Sequence, residues 1–385
     1  MNANGRAELR VLHVMEATIG GTRRHLIDVA REQRRLGLSV DVIASAERVA
    51  EFRRDLAQLA NEGVRVVELP MVREIRPGID LRHLRAIERE LVARRPDVVH
   101  THSSKAGVLG RLASLELSIG ARVHTPHTFA FLFHAMFGAT KRRLFRQIER
   151  GLADSTSAVI AVSESEGETI RASGVVPPER VRVVPNGIDI ARWVDVPPIS
   201  RAELGVPDRA PLLVVAGLLN VAKGQDVAIR ALAERELASA HLVLAGNGEE
   251  GAEWERLARE LGVAERTHFL GWRDDVPRIF AAADVVLLPS RWEAMPYAVL
   301  EAMAAEKPVV ATAVDGAREL VAEGVTGRLV ALEDPRALAL ATAEVLALDP
   351  RSRALLGVAG RERVLRRYSS AAMARGLVAV YREVA

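Results

Sequence analysis

The sequence predicts an α/β protein made of two doubly wound parallel sheets in tandem. Strand-like apolar runs alternate with longer amphipathic stretches, and a segment rich in proline and turn-forming residues interrupts this alternation once. The length of 385 residues is enough for two separate cores. Because strand–helix–strand crossovers are right-handed, we expect helices on both faces of each sheet. Two such domains are expected to face each other across a cleft at the carboxyl ends of their strands.

The first alternation occupies residues 1–190. Amphipathic periodicity predicts helices at 23–37, which ends at a glycine, at 80–96, which ends at a proline, and at 105–120. Apolar runs predict strands at 9–15, 39–45, 96–103, 121–127, 157–163 and 181–187.

The second alternation occupies residues 211–350 and follows a predicted linker at 191–210. Its predicted strands are 211–217, 240–246, 266–272, 284–290, 307–313 and 327–331. Its predicted helices are 223–235, 249–262, 274–282, 296–305, 317–323 and 334–348. The last amphipathic stretch, 351–385, predicts C-terminal helices that pack back on the first domain.

The composition narrows the classes of function. The chain has no cysteine, which excludes disulfides, thiolate catalysis and cysteine-ligated metals. No apolar run reaches the roughly 18 residues of a membrane-spanning helix, and the first residues lack the apolar core of a secretion signal. We therefore expect a cytoplasmic protein. The net charge is only +3, basic residues are dispersed, and no base-reading motif is present, which argues against a nucleic-acid partner.

Three glycine-containing turns lie where a predicted strand meets a helix: "IGGT" (19–22), "AGLLNVAKG" (216–224) and "AGNGEE" (245–250). Glycine permits close backbone approach, and a helix that follows favours anions at its start. Tight turns of an α/β domain explain each one singly, but their recurrence indicates a binding site. None matches the Walker or dinucleotide fingerprints, which argues against an ATPase or a dehydrogenase.

Two glutamates flank a predicted helix start in the segment "SRWEAMPYAVLEAMA". Pro296 suits the first helical turn, so Glu293 lies on the preceding loop and Glu301 inside the helix. A carboxylate can accept hydrogen bonds from vicinal hydroxyls, and the amides near Met295 and Tyr297 can bind further oxygens. This combination suits a sugar nucleotide, although the spacing alone leaves a chance pairing open.

The segment 289–330, which contains these glutamates, resembles the C-terminal signature of the retaining family-4 glycosyltransferases of the GT-B fold. The resemblance extends over nearly the whole chain, through 20–30, 98–113, 123–131, 183–189, 242–250 and 269–290. It implies transfer of a sugar from a nucleoside-diphosphate sugar to an acceptor hydroxyl, with UDP or GDP as the nucleotide of the donor. It further implies a metal-independent enzyme without a cofactor, in cell-surface polysaccharide, glycolipid or secondary-metabolite assembly.

Carried over residue by residue, the resemblance gives roles to the C-terminal signature. Glu301 would bind the ribose hydroxyls of the donor, and Glu293 would lie beside the transferred sugar. The segment of Met295, Pro296 and Tyr297 would hold sugar hydroxyls through its backbone. Two residues after a strand would frame the base: Gly271 and Trp272.

The same resemblance implies the catalytic arrangement. Lys223 would bridge the donor diphosphate, and His127 would touch the transferred sugar from the N-terminal side. Gly20 and Gly21 would let the first loop approach the reaction centre. Retention is expected through front-face attack, with the leaving phosphate accepting the acceptor proton. A double displacement through a carboxylate remains an alternative.

One position departs from the family pattern. The family usually has an arginine five residues before the lysine, and here that position is Leu218. Loss of one cation would weaken leaving-group stabilisation by about 3 kcal/mol unless Arg291, Arg273 or Arg23 compensates. The departure keeps two alternatives open, which are a nucleotide-sugar epimerase or hydrolase of the same fold and a GT-B scaffold without catalysis.

Four histidines lie near predicted strand ends: His100, His102, His124 and His127. No carboxylate or cysteine lies at ligand spacing from them, so we predict no metal site. We interpret these histidines as core or substrate-contacting residues.

The acceptor side is expected in the N-terminal domain. Aromatic residues beside a basic cluster at 129–146 suit a peripheral contact with an anionic membrane or a lipid-linked acceptor, although a buried helix with a solvated basic edge explains them equally. Lys105 and one of Arg142, Arg143 or Arg146 are expected to contact an acidic group of the acceptor. That acceptor would be a sugar, a lipid-linked glycan or a small molecule.

Overall fold

The structure is a computed structural model that describes residues 8–132 and 137–385. Its strands are β1 (Arg10–Met15), β2 (Ser39–Ala44), β3 (Arg65–Glu68), β4 (Val98–His102), β5 (Ala121–Thr125), β6 (Ala158–Ala161), β7 (Val181–Val183), β8 (Leu212–Ala216), β9 (His241–Ala245), β10 (Thr267–Gly271), β11 (Val285–Leu288), β12 (Val309–Thr312) and β13 (Gly327–Val330). Its helices are α1 (Gly20–Arg35), α2 (Phe52–Asn61), α3 (Pro77–Arg94), α4 (Ser104–Leu117), α5 (Ala139–Ala153), α6 (Glu164–Ala172), α7 (Gln225–Leu232), α8 (Gly251–Glu260), α9 (Val276–Ala282), α10 (Tyr297–Ala304), α11 (Ala317–Leu320), α12 (Pro335–Ala347), α13 (Pro350–Arg367) and α14 (Ser370–Val384).

The chain divides into two units. One contains the chain up to Asn186 together with Ser370–Ala385, and the other contains Gly187–Ser369. Each unit has one parallel sheet with helices against it, so the predicted pair of doubly wound domains is confirmed. None of the helices within residues 8–132 and 137–385 combines the length and apolar character needed to cross a lipid bilayer.

The sheet of the first unit has the strand order β3-β2-β1-β4-β5-β6-β7 in the described residues. Apolar residues lie on both of its faces, as expected for a parallel sheet covered by helices, and buried histidines and threonines lie among them. In β1, Val11 and Met15 pack into one core, which also holds Leu377 of α14. Leu12 and Val14 point to the opposite face and pack into a second core. The strand order reverses direction between β1 and β4, which pair in parallel.

The sheet of the second unit has the strand order β10-β9-β8-β11-β12-β13 in the described residues. Its core lies between apolar residues of these strands and helices α7, α8 and α12. The predicted linker residues belong to this unit. Trp193 packs against Phe280 with ring centroids 5.6 Å apart, and the amide of Ile199 donates to the carbonyl of Arg278 at 3.1 Å.

The C-terminal helices divide between the units, so the expectation that 351–385 packs on the first domain is wrong for α13. This helix packs against α10 in the second unit, where Gly357 and Gly360 permit close approach. A Cβ at Gly357 would lie 2.0 Å from the carbonyl oxygen of Glu306. Helix α14 packs against α1, and its Tyr381 is fully buried in the first unit. Four elements escaped the sequence analysis: α2, β3, α5 and α6.

Candidate active site

The strand order of the second unit reverses between β8 and β11, which pair in parallel. Connections leave these neighbouring strands on opposite sides, which opens a crevice at their carboxyl ends. The loop after β8 carries Lys223, and the loop after β11 carries Glu293 and leads into α10. The crevice therefore brings together two residues that the sequence indicated separately.

Lys223 and Glu293 form an ion pair at this point. The Lys223 Nζ donates to Glu293 Oε1 at 2.6 Å, and the hydroxyl of Ser290 donates to the same oxygen at 2.9 Å. The lysine side chain is 30% exposed and the glutamate side chain 11%, so the pair is partly open to solvent. A charge-assisted bond of this length positions the cation firmly.

The local sequence explains the position of Lys223. Asn220 begins the turn and accepts the Lys223 amide on its side-chain oxygen at 3.1 Å. Gly224 follows with φ of +64°, and a Cβ there would lie 2.1 Å from the carbonyl oxygen of Pro289. Only glycine allows the loop after β8 to approach the end of β11 this closely.

Arg291 joins the same two loops. Its guanidinium makes a bidentate pair with Asp226 at 2.9 and 2.8 Å, contacts Glu333 at 2.6 Å and donates to the carbonyl of Val221 at 2.8 Å. The Asp226 carboxylate raises the pKa of Arg291 further above its usual range. Sequence reasoning placed Arg291 near the site but missed this role, because no local spacing connects residues 226 and 291.

All three arginines considered as substitutes for the missing family cation are in ion pairs. Besides Arg291, Arg273 makes a bidentate pair with Asp275 at 2.7 Å for both bonds. In the first unit, Arg23 donates to Asp55 at 2.5 Å. Leu218 itself is half-buried in the loop after β8. The structure therefore shows no uncommitted guanidinium among the three.

Two glycine loops of the second unit pack backbone against backbone. Gly246 has a φ of +156°, and a Cβ there would lie 1.9 Å from the carbonyl oxygen of Gly217. A Cβ at Gly248 would lie 2.1 Å from the carbonyl oxygen of Leu219. The glycines of the predicted anion-binding turns thus hold the loops after β8 and β9 together.

Helix α10 begins one residue later than predicted, because Pro296 stands before the first helical turn and not within it. The carbonyl of Pro296 accepts the amide of Val299 at 3.2 Å. Gly316 packs closely behind this start, since a Cβ there would lie 2.6 Å from the Cα of Met295. Glu301 lies one turn after Tyr297 and therefore on the same side of the helix.

The predicted base-framing residues end β10. Gly271 has a φ of +65° and follows a register shift in the pairing of β10 with β9. Trp272 keeps 38% of its surface exposed, and its indole Nε1 donates to Asp274 at 3.1 Å. A fixed, exposed indole at a strand end offers a flat apolar surface to a ligand.

In the first unit, the predicted glycine pair opens α1. Gly20 has a φ of +57°, and a Cβ there would meet no atom within 4 Å. The left-handed backbone, and not crowding, is therefore what favours glycine at this position. Gly21 follows inside the first turn of the helix.

His127 occupies a strained turn after β5. His127 and Thr128 have φ of +50° and +73°, which is uncommon for residues with a side chain. Glu166 stabilises this turn, because one of its oxygens accepts the Thr128 amide at 2.6 Å and the other accepts the Val162 amide at 2.7 Å. Sequence reasoning missed Glu166. Burial lowers the pKa of His127 well below its ordinary value, and the nearby His25 lowers it further.

A buried histidine network lies beside this turn. His13 Nε2 contacts Gln33 Oε1 at 2.8 Å, and His13 Nδ1 contacts His102 Nε2 at 3.0 Å. His100 contacts the hydroxyl of Tyr381 at 2.5 Å. Desolvation lowers the pKa of His13 to about 4 and holds the pKa of His100 and His102 well below the ordinary value. The rings are therefore neutral at physiological pH.

The predicted acceptor residues lie on two helices. Lys105, at the start of α4, donates to Asp80 at 2.6 Å and to the carbonyl of Glu74. Arg142, Arg143 and Arg146 lie on α5. The aromatic segment 129–146 includes residues 133–136, which lie outside the described residues. Beyond them, Phe137 and Phe145 pack with centroids 5.3 Å apart, and the Lys141 ammonium lies 4.7 Å from the Phe137 ring centroid.

Comparison with known proteins identifies the family. Residues 19–192 match the model "Glycosyltransferase Family 4", and residues 198–363 match "Glycosyl transferases group 1". The chain is 30% identical over 405 residues to the D-inositol 3-phosphate glycosyltransferase of Thermobispora bispora, which covers 94% of this chain and 90% of the relative.

Two further similarities agree with this result. The chain is 29% identical over 294 residues to the Escherichia coli UDP-Gal:alpha-D-GlcNAc-diphosphoundecaprenol alpha-1,3-galactosyltransferase, which covers 72% of this chain and 74% of the relative. The solved structure of Anabaena HepE with UDP and glucose superposes with a TM-score of 0.82 at 24% identity, covering 98% of this chain and all of that one. The chain therefore belongs to glycosyltransferase family 4 and has the GT-B fold.

Proposed function

We propose that this glycosyltransferase transfers a sugar, with retention of configuration, from a UDP-sugar to an acceptor hydroxyl. The observation that carries the proposal is the Lys223–Glu293 pair at the crevice between β8 and β11, next to the start of α10. A cation beside a carboxylate matches a donor that presents a diphosphate and sugar hydroxyls together. Relatives of the fold crystallised with UDP, UDP and glucose, or UDP-glucose support the choice of base.

The chemistry depends on charge that develops on the leaving diphosphate. Lys223 stabilises that charge, assisted by the amides at the start of α10. Glu293 holds a hydroxyl of the transferred sugar and orients Lys223, while Glu301 binds the ribose hydroxyls. Gly271 and Trp272 frame the base. In this proposal, Lys223 and the helix start stabilise the leaving diphosphate without a metal ion or a cofactor.

Retention follows from front-face attack. The acceptor oxygen bonds to the anomeric carbon on the face that the diphosphate leaves, and a phosphate oxygen takes the acceptor proton. No protein nucleophile is needed. The roles that the family implies for the first unit are kept in this proposal. His127 contacts the transferred sugar, and the first loop approaches the reaction centre through Gly20 and Gly21.

The acceptor carries an acidic group and binds the first unit. The relatives named for inositol phosphate and for a diphosphate-linked sugar both act on phosphorylated acceptors, which supports this class. One of Arg142, Arg143 or Arg146 contacts the acidic group. Lys105 joins it only when its ion pair with Asp80 opens, because its side chain is 8% exposed. The basic residues of α5 make a peripheral contact with the inner face of the membrane when the acceptor is lipid-linked. Of the aromatic residues predicted to take part, Phe129 and Phe131 are buried in a core of the first unit.

Leu218 favours a second candidate function, a scaffold of the same fold that has lost catalysis. The three arginines that could replace the missing cation are committed to Asp226, Asp275 and Asp55. A scaffold would bind UDP-sugars poorly. Donor hydrolysis without any acceptor would instead identify a hydrolase.

The first experiment is thermal stabilisation by UDP-, GDP-, ADP-, CDP- and dTDP-sugars. A ligand at 100 times its dissociation constant adds about 2.7 kcal/mol to the free energy of unfolding. We expect a UDP-sugar to raise the melting temperature of the wild type and not of Glu301→Ala. The surface variant Glu344→Ala is the control and should respond like the wild type. No stabilisation by any donor would favour the scaffold.

Activity and stereochemistry are then tested with the stabilising donor. Phosphorylated and lipid-linked acceptors are offered, and NMR of the product assigns the anomeric configuration. Product with the donor's configuration supports retention, and inverted product contradicts it.

A further inference from the structure

Three histidine rings of the first unit converge on one another. His25 comes from α1, His102 ends β4, and His127 lies in the turn after β5. The ring centroids are 4.7 Å apart for His25 and His127, 5.4 Å for His25 and His102, and 5.6 Å for His102 and His127. One ring nitrogen of each residue lies within 4.8 Å of one ring nitrogen of each of the others.

Each of these rings has a buried nitrogen without a hydrogen-bond partner among residues 8–132 and 137–385. These atoms are His25 Nε2, His102 Nδ1 and His127 Nε2. His25 and His102 are at least 99% buried. Buried polar atoms almost always have a hydrogen-bond or metal partner. Three unpaired nitrogens on converging rings therefore indicate one partner that all three share.

The surrounding hydrogen bonds show which nitrogens carry lone pairs. The acceptor Gln33 Oε1 requires a proton on His13 Nε2, so His13 Nδ1 accepts and His102 Nε2 donates. His102 Nδ1 is then left with a lone pair.

His25 is oriented in the same way. Its Nδ1 donates to Asn186 Oδ1 at 2.9 Å, which leaves the lone pair on Nε2. Metal-bound histidines are held in this manner, with the second ring nitrogen donating to a fixed acceptor.

A second trio of histidines, His13, His100 and His102, is also close in space. Both nitrogens of His13 and of His100 already have partners, since His100 contacts Tyr381 and Thr125. This trio is a hydrogen-bond network. It supports the other trio by setting the tautomer of His102.

We propose that His25, His102 and His127 bind one divalent transition-metal ion, of which Zn²⁺ is the biological candidate. Imidazole suits Zn²⁺, Cu²⁺ and Ni²⁺, and a three-histidine set leaves one position for water or a ligand. Tetrahedral Zn–N bonds of about 2.0–2.1 Å place ligand nitrogens roughly 3.3 Å apart, so the rings close slightly around the ion. His127, half-buried and on a turn, is the ring best placed to move and to admit it.

Burial agrees with this assignment. It lowers the pKa of His25 to about 4 and the pKa of His102 and His127 well below the ordinary value, so no proton has to leave the rings at neutral pH. The sequence analysis predicted no metal site because no carboxylate or cysteine lies at ligand spacing from His100, His102, His124 and His127. His25 was absent from that reasoning because a single histidine on a helix gives no signal.

The test is titration of the full-length, tag-free, EDTA-treated protein with Co²⁺, followed by visible absorption and by competition with Zn²⁺. We expect one equivalent to give the intense ligand-field bands of four- or five-coordinate Co²⁺, and Zn²⁺ to remove them. His127→Asn and His25→Gln should each weaken binding at least about tenfold. Asparagine tolerates the left-handed backbone of position 127, and circular dichroism verifies that each variant is folded.

Two controls separate this site from adventitious binding. His268→Gln alters the His241–His268 pair of the second unit, whose nitrogens are 2.9 Å apart, and should bind Co²⁺ like the wild type. Unchanged binding in both His25→Gln and His127→Asn would overturn the proposal, as would absence of the bands in the wild type. Loss of binding in His100→Gln with unchanged binding in His25→Gln would assign the ion to the other trio and would also overturn it.

Discussion

The ammonium of Lys223 lies 2.6 Å from the carboxylate of Glu293, although 70 residues separate them in the chain. The two loops that carry them follow the neighbouring strands β8 and β11. A lysine fixed in this way has little orientational freedom to lose when a diphosphate arrives. The glutamate both positions the cation and keeps acceptor oxygens available for sugar hydroxyls.

Replacing Lys223 with alanine is expected to lower kcat about 100- to 1,000-fold, because the leaving diphosphate loses a preorganised donor. The measurement is steady-state transfer with the stabilising donor. Arg235→Ala is the control, since this cation of the same unit is 89% exposed, and it should retain wild-type kcat. A kcat within about threefold of the wild type in Lys223→Ala would remove the lysine from the mechanism.

Replacing Arg291 with alanine should destabilise the protein and weaken donor binding together. Asp226, only 12% exposed, loses its bidentate partner, and the loop of Val221 loses a hydrogen bond. We expect a loss of about 1.5–3 kcal/mol in the free energy of unfolding by urea. Donor affinity, measured by calorimetry, should fall although Arg291 needs no contact with the donor.

The matched control for this variant is Arg328→Ala. Its partners Glu323 and Glu344 are 55% and 64% exposed, so its removal should cost less than about 1 kcal/mol. Equal stability losses in the two variants would show that Arg291 does not brace the loops.

The fold could be predicted from the sequence, because buried parallel strands leave continuous apolar runs such as β1 and β11. The unit against which α13 packs could not be predicted. Amphipathic periodicity shows that a helix packs against a core, but it does not show which of two cores. Lys223 and Glu293 were indicated by family resemblance and helix-start chemistry. The pairs Lys223–Glu293 and Arg291–Asp226 depend on strand order, which sequence spacing does not reveal.

Tyr381 is expected to make the protein less stable at alkaline pH. Burial raises the pKa of its phenol far above 10, whereas the unfolded chain ionises it near 10. Above that pH the native state holds a proton that the unfolded state releases, so the free energy of unfolding falls as pH rises. The contribution of this one group reaches at most about 1.4 kcal/mol per pH unit.

The measurement is urea unfolding of the wild type and Tyr381→Phe at several pH values between 8 and about 11. Phenylalanine keeps the packing of α14 but loses the contacts with Gln33 and His100. It should be less stable at pH 8 and decline less steeply above pH 10. Parallel declines would show that the phenol does not carry the pH dependence.

Gly246→Ala should disrupt the loop pair of the second unit. The new Cβ would lie 1.9 Å from the Gly217 carbonyl oxygen, at a φ of +156°. We expect a cost of about 1–3 kcal/mol and loss of stabilisation by the donor. Gly251→Ala is the matched control, because this glycine begins α8 and its new Cβ would lie 3.5 Å from Leu219. It should be neutral or slightly stabilising in the same urea experiment.

Leu218→Arg tests whether the missing cation limits the enzyme. The backbone of this position is held independently of its side chain, because the Leu218 carbonyl accepts from Gln225 at 2.8 Å and the next residue, Leu219, bonds to Asn247. The new side chain starts from the loop that carries Lys223 and can add a second donor to the diphosphate. We expect kcat to rise at least about tenfold, with Leu218→Met as the uncharged control.

An unchanged kcat in Leu218→Arg would mean that another group already stabilises the leaving diphosphate. A rise from an undetectable rate would show instead that the natural chain is the scaffold, because one cation would then have restored transfer.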